Sequence, residues 1–148
     1  MGVMKFRLPA NELSRRISDC RSAYLTGLDR TPGQLKAEFR NGLFVCHRES
    51  TESGRLYVPW YIDGQGTPIL GSATLAERAN PYELAVELAR GKLNEVRNQL
   101  AEWRQLGLSV SDELDEVLAR SQRAFVRAAT GRNESDRGFE AAQESLRH

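Results

Sequence analysis

Tyr57, Trp60 and Tyr61 lie within five residues of one another, and Asp63 and Gln65 follow directly. Flat apolar rings can cover the C–H face of a pyranose while a nearby carboxylate and amide bond its hydroxyls, so this is the mixture a sugar-binding surface needs. Tyr57, Trp60, Tyr61 and Asp63 are therefore the candidate ligand-binding residues. The same rings would equally suit a strand covered by a sheet on one side and a helix on the other, and residue type alone does not separate core from binding face.

The other reactive side chains combine poorly. His47 and His148 are the only histidines, which leaves little for a metal site or a triad. Cys46 and His47 are adjacent, so a regular strand points them to opposite faces and prevents a thiolate–imidazolium contact. Gly64-Gln65-Gly66 lacks the third glycine, the lysine and the following helix of a phosphate loop and reads as a turn. Glu38, Glu49, Glu52 and Asp63 match glycosidase carboxylates by type only, because such a pair must flank a bond at about 5–9.5 Å in a cleft. The expectation is no catalytic residue, no metal ligand and no cofactor.

The surrounding chemistry is ordinary. Of 148 residues, 40% are hydrophobic and 28% charged, and the net charge is +1, which excludes disordered and collagen-like classes. Residues 1–80 carry 11 basic and 8 acidic side chains and residues 81–148 carry 10 and 12, so neither half has the basic excess of a nucleic-acid binder. Cys20 and Cys46 read as small buried apolar residues, since two cysteines in a chain this long make no disulfide scaffold. Met1–Phe6 lacks the apolar core of a signal peptide and no apolar run reaches the roughly 20 residues of a membrane span, so a cytoplasmic protein is expected.

Residues 1–79 read as β structure. Met4, Phe6 and Leu8 alternate with Lys5 and Arg7 as in a half-buried strand, and Pro9 ends it. One or two helical turns are expected over Asn11–Ser18, with Asn11 as cap, and a second strand over Ala23–Leu28. Leu35, Ala37 and Phe39 alternate up to Asn41-Gly42, the pair that tolerates the positive φ of a type I′ turn. A two-residue loop sets Phe39 opposite Phe44 and Ala37 opposite Cys46, on one apolar face. Leu56–Ile62 puts Leu56, Val58, Trp60 and Ile62 on one side and Tyr57 and Tyr61 on the other, with Pro59 marking an edge or a bulge. A last strand runs from about Pro68 to Leu75. Six short strands imply an antiparallel β-sandwich or a curled sheet.

From Asn80 the period becomes helical. Asn80 is the expected N-cap, Pro81 the first helical residue and Gly107 the stop, with Leu93, Val96, Leu100 and Trp103 as a buried stripe. Gly91 within it costs about 1 kcal/mol relative to alanine, which points to a close packing contact. Ser111 caps a second helix with Leu114, Val117, Leu118, Phe125 and Ala128 on one face, and a shorter third helix spans roughly Glu134 to Leu146. The expected class is α+β: a sandwich part, 1–79, and a helical part of two to three helices, 80–148, joined in one module.

The runs Ser53-Gly54-Arg55-Leu56-Tyr57-Val58-Pro59-Trp60, Ser72-Ala73-Thr74-Leu75-Ala76-Glu77-Arg78, and Pro81-Tyr82-Glu83-Leu84 through Lys92-Leu93 to Trp103 resemble the N-terminal region of bacterial family 10 glycoside hydrolase-like proteins of the endo-1,4-β-xylanase type. In these, the region precedes a catalytic TIM barrel. The resemblance covers most of the chain and implies a non-catalytic accessory module with a carbohydrate-binding-domain-like sandwich, whose partner is an oligosaccharide or the barrel. The family's catalytic glutamates have no matching positions, because a barrel takes about 250 residues. A structural or homodimerising module acting through the helical stripe is the rival reading, and a small standalone enzyme is a third.

Overall fold

Strand alternation, one two-residue turn and the helical period account for most of the architecture. The computed structural model describes residues 1–131 and 135–148. In chain order the elements are β1 (Gly2–Arg7), α1 (Ala10–Arg21), β2 (Tyr24–Thr26), β3 (Pro32–Gly33), β4 (Leu35–Arg40), β5 (Leu43–Arg48), β6 (Arg55–Pro59), β7 (Ile69–Gly71), β8 (Tyr82–Glu83), α2 (Leu84–Gln105), α3 (Asp112–Thr130) and α4 (Ser135–Arg147). The class is α+β. One sheet has the order β4-β5-β1-β8 and the other β3-β2-β6-β7. Every pair is antiparallel except β1–β8, which is parallel.

The hairpin follows its turn chemistry. Asn41 and Gly42 have φ of 51° and 75°, and the register sets Phe39 opposite Phe44 and Ala37 opposite Cys46. The Phe39 and Phe44 rings stack at 5.4 Å. β1 joins the other edge of β5 with Met4 opposite Cys46 and Phe6 opposite Phe44, so Met4, Phe6, Phe44 and Cys46 are all within 1% of full burial. From the second sheet Leu25, Leu56, Val58 and Leu70 enter the same core.

Three expectations are corrected. α1 is a full twelve residues and follows Pro9 directly, so Asn11 lies inside the helix and is no cap. Helix α2 starts at Leu84, with Glu83 at the cap position. Residues 82 and 83 instead form β8, with Tyr82 beside Phe6 and Glu83 beside Arg7. The cause is tertiary: the Tyr82 ring lies 6.0 Å from that of Phe6, and its hydroxyl donates to the Ala76 carbonyl at 2.7 Å. Arg78 stacks over Tyr82 at 3.6 Å and donates to the Asn80 and Pro81 carbonyls, which a helix starting at Asn80 would have used. Third, Trp103 is 39% exposed although Leu93 and Leu100 of the same stripe are buried.

Ser111 does cap α3, its hydroxyl accepting from the Leu114 N–H at 3.3 Å. Residue 134, the expected start of the last helix, lies outside the described residues. The helices meet the sheets through specific bonds: Trp60 Nε1–H donates to Gln143 Oε1 at 2.6 Å, and Gln65 Nε2 donates to the Arg147 carbonyl at 2.7 Å. Gly91 brings the α2 backbone against β7. No described helix is long and apolar enough to cross a membrane.

Both cysteines are fully buried free thiols. Burial, with the neighbouring Asp19 charge adding to it, pushes the Cys20 thiol up to about 12, and burial likewise raises that of Cys46. A thiol-specific chromogenic reagent at about pH 8 is therefore expected to find no reactive thiol in the native protein and two per chain once denaturant is added. Rapid reaction of one equivalent without denaturant would contradict this burial.

Candidate functional site

The outer surface of the second sheet carries two half-buried tyrosine rings. Because side chains alternate, turning Leu25, Leu56, Val58 and Leu70 inward leaves Tyr24, Tyr57, Pro59 and Ile69 on the opposite face. Tyr24 and Tyr57 are direct cross-strand neighbours. Their rings stack with centroids 5.0 Å apart and planes within 9°. On the other side Tyr57 faces Gly71, where a Cβ would sit only 2.7 Å from Tyr57 Cε1. The missing side chain gives the ring its place over β7.

The strip continues beyond the pair. Pro59 is paired with Ile69, which is 60% exposed, and Tyr61 is 49% exposed. Tyr61 lies two residues beyond the end of β6, and if the chain stays extended, four residues at 3.3 Å each set it about 13 Å along the chain from Tyr57. Arg55 adds a polar group beside the rings: its Nε donates to the Ser72 carbonyl at 2.9 Å and its guanidinium lies 5.6 Å from the Tyr57 ring centre. Asp63 is exposed in the following turn, its carboxylate 3.9 Å from Arg147.

Trp60 lies elsewhere. It has no exposed surface, its ring is covered by the Arg16 guanidinium at 4.0 Å, and the Phe139 ring is 6.2 Å away. Arg16 is held in turn by Glu12 at 3.0 Å. The structure thus leaves Tyr57 and Tyr61 out of the core, sets Asp63 in the turn that follows and keeps Trp60 in the core. Tyr24, Arg55, Ile69 and Gly71 were not found from the sequence. Only the strand order, which joins β2 to β6 across nearly thirty residues, makes Tyr24 a neighbour of Tyr57.

A second polar cluster sits on the outer face of the first sheet. Glu38 bonds His47 Nε2 at 2.8 Å and Arg40 at 2.6 Å, and these two bonds lower its carboxyl below the usual range. Asp29 is lowered by bonds from Thr31, and Glu144 by a bond from Arg127. A general acid needs the opposite shift. Cys46 points into the core while His47 points out to Glu38, so the two do not meet. No family model, curated protein or solved structure matches this chain.

Proposed function

We propose that the chain is a non-catalytic binding module for an oligosaccharide, accessory to a glycoside hydrolase-like protein of the xylanase type. The observation that carries this reading is the stacked Tyr24–Tyr57 pair on an outer sheet face, with Tyr61 exposed further along the same chain path. Rings held in place by the sheet lose little entropy when a sugar stacks on them, and a separation of about 13 Å suits a chain of sugars better than a single one. Arg55 and Asp63 supply polar partners for hydroxyls at either end. The resemblance running from Ser53 to Trp103 supports the accessory role and implies a catalytic barrel as the neighbouring partner. The two sheets around one core support a sandwich of the carbohydrate-binding-domain kind.

Calorimetric titration with xylohexaose and cellohexaose tests the proposal. Binding is expected for at least one of them, and Tyr57→Ala is expected to weaken it about tenfold or more, equivalent to about 1.4 kcal/mol. Tyr61→Ala should weaken it less, because no other ring among the described residues stacks on it. Absence of heat with both sugars at millimolar concentration, or unchanged affinity in Tyr57→Ala, would refute the reading.

A further inference from the structure

The hairpin formed by α2 and α3 leaves apolar surface uncovered on one flank. An open groove of about 230 Å³ runs between the two helices, with Leu93, Val96, Leu114, Val117 and Leu118 in its walls and Leu146 of α4 at its base. At the tip, Trp103, Leu106 and Leu108 are 39%, 72% and 55% exposed. The groove and the tip are therefore a cavity and a protrusion on one arm, about 15–20 Å apart along α2 at 1.5 Å per residue.

The charges divide the same way. Residues 99–117, the tip half, hold five carboxylates and one arginine, a net charge of −4. Residues 91–98 and 118–126, the base half, hold four cations and one carboxylate, a net charge of +3, while the adjoining Arg90 and Arg127 are paired with Glu87 and Glu144. Two copies of the arm packed antiparallel would lay each acidic tip on the partner's basic base, and Trp103 and Leu106 on the partner's Val96 and Leu93. Parallel packing would set like charge on like. We infer that this flank is a self-association surface and that its occupant is a second copy of the chain, related by a two-fold axis crossing α2 near Gln99.

A two-fold contact of this kind is isologous, so both ends close together and assembly stops at two. An arm about 20 Å long and two helices wide, buried on both copies, comes to roughly 1,000 Å² once its corrugation is counted, just under the 1,200–2,000 Å² of stable complexes. The dimer is accordingly reversible, half formed at concentrations on the order of micromolar. It uses the helices and leaves the aromatic face of the second sheet free.

Sedimentation equilibrium from about 0.05 to 200 µM tests this. The weight-average mass is expected to rise from that of one chain to that of two and stop there. Trp103→Glu should raise the dissociation constant at least thirtyfold. A tip-reversed variant, Glu113→Lys with Glu116→Lys, and a base-reversed variant, Lys92→Glu with Arg120→Glu, should each be monomeric alone and dimerise when mixed. All five positions are on the surface or half exposed, and circular dichroism verifies that each variant is folded. A strict monomer at 200 µM, growth beyond two copies, or a mixture that stays monomeric would overturn the inference.

Discussion

Replacing Gly91 with alanine is expected to destabilise the protein by about 3 kcal/mol, although alanine is the better helix former by about 1 kcal/mol. A Cβ on Gly91 would overlap the Gly71 carbonyl oxygen and lie 2.6 Å from the Ser72 carbonyl carbon and 2.9 Å from the Ala73 nitrogen. All three are backbone atoms of the β7 edge, which rotamer changes cannot clear. That edge is held from its other side: the Ser72 N–H donates to the Leu56 carbonyl at 2.8 Å, and the Ser72 hydroxyl accepts from the Leu56 N–H at 3.0 Å. Moving it would break bonds inside the core, so the clash outweighs the gain in propensity. For a chain of this length the loss corresponds to a melting temperature lower by roughly 6–12 °C. An unchanged or higher midpoint in Gly91→Ala would mean that α2 stands further from β7.

Trp60→Ala is expected to lose about 3–5 kcal/mol, the range for removing a large aromatic from a core. The ring has no solvent contact, and its removal takes away the bond to Gln143 and the surface on which the buried Arg16 guanidinium rests. A guanidinium does not shed its charge, so Arg16 would keep Glu12 and the weak contacts to the Tyr61 carbonyl at 3.4 and 3.5 Å. Trp60→Phe should retain most of the burial and cost about 1 kcal/mol for the lost donor. Urea unfolding measures both. The conservative variant also separates the two roles of this aromatic segment: Trp60→Phe should bind whichever hexaose the parent binds with the parent's affinity, whereas Tyr57→Ala should bind it about tenfold more weakly. A stable Trp60→Ala protein would mean the ring lies outside the core.

The two sets of effects show where the sequence was legible. β1, the Asn41-Gly42 hairpin and the Ser111 cap followed from residues a few positions apart, and the structure has them at the expected places. Asn80-Pro81 carried an equally good local start signal, but Arg78 and the pairing of Tyr82 with Phe6 displaced it by three residues. Trp103 fits the helical period of a buried stripe, yet the body of the protein does not extend that far along α2, and the ring remains partly in solvent. Period reports which residues share a face. It does not report whether anything lies opposite.

The aromatic segment divides along the same line. Sequence alone determined that Tyr57 and Tyr61 face away from Leu56, Val58 and Trp60, because alternation is a property of the strand itself. Tertiary structure decided which side became the core, by setting α1 and α4 over Trp60 and leaving Tyr57 half-buried on the other face, and it supplied Tyr24 as the stacking partner. Those outcomes depend on strand order and helix placement, which are set by contacts between residues tens of positions apart. Local conformational preference carries no record of such contacts.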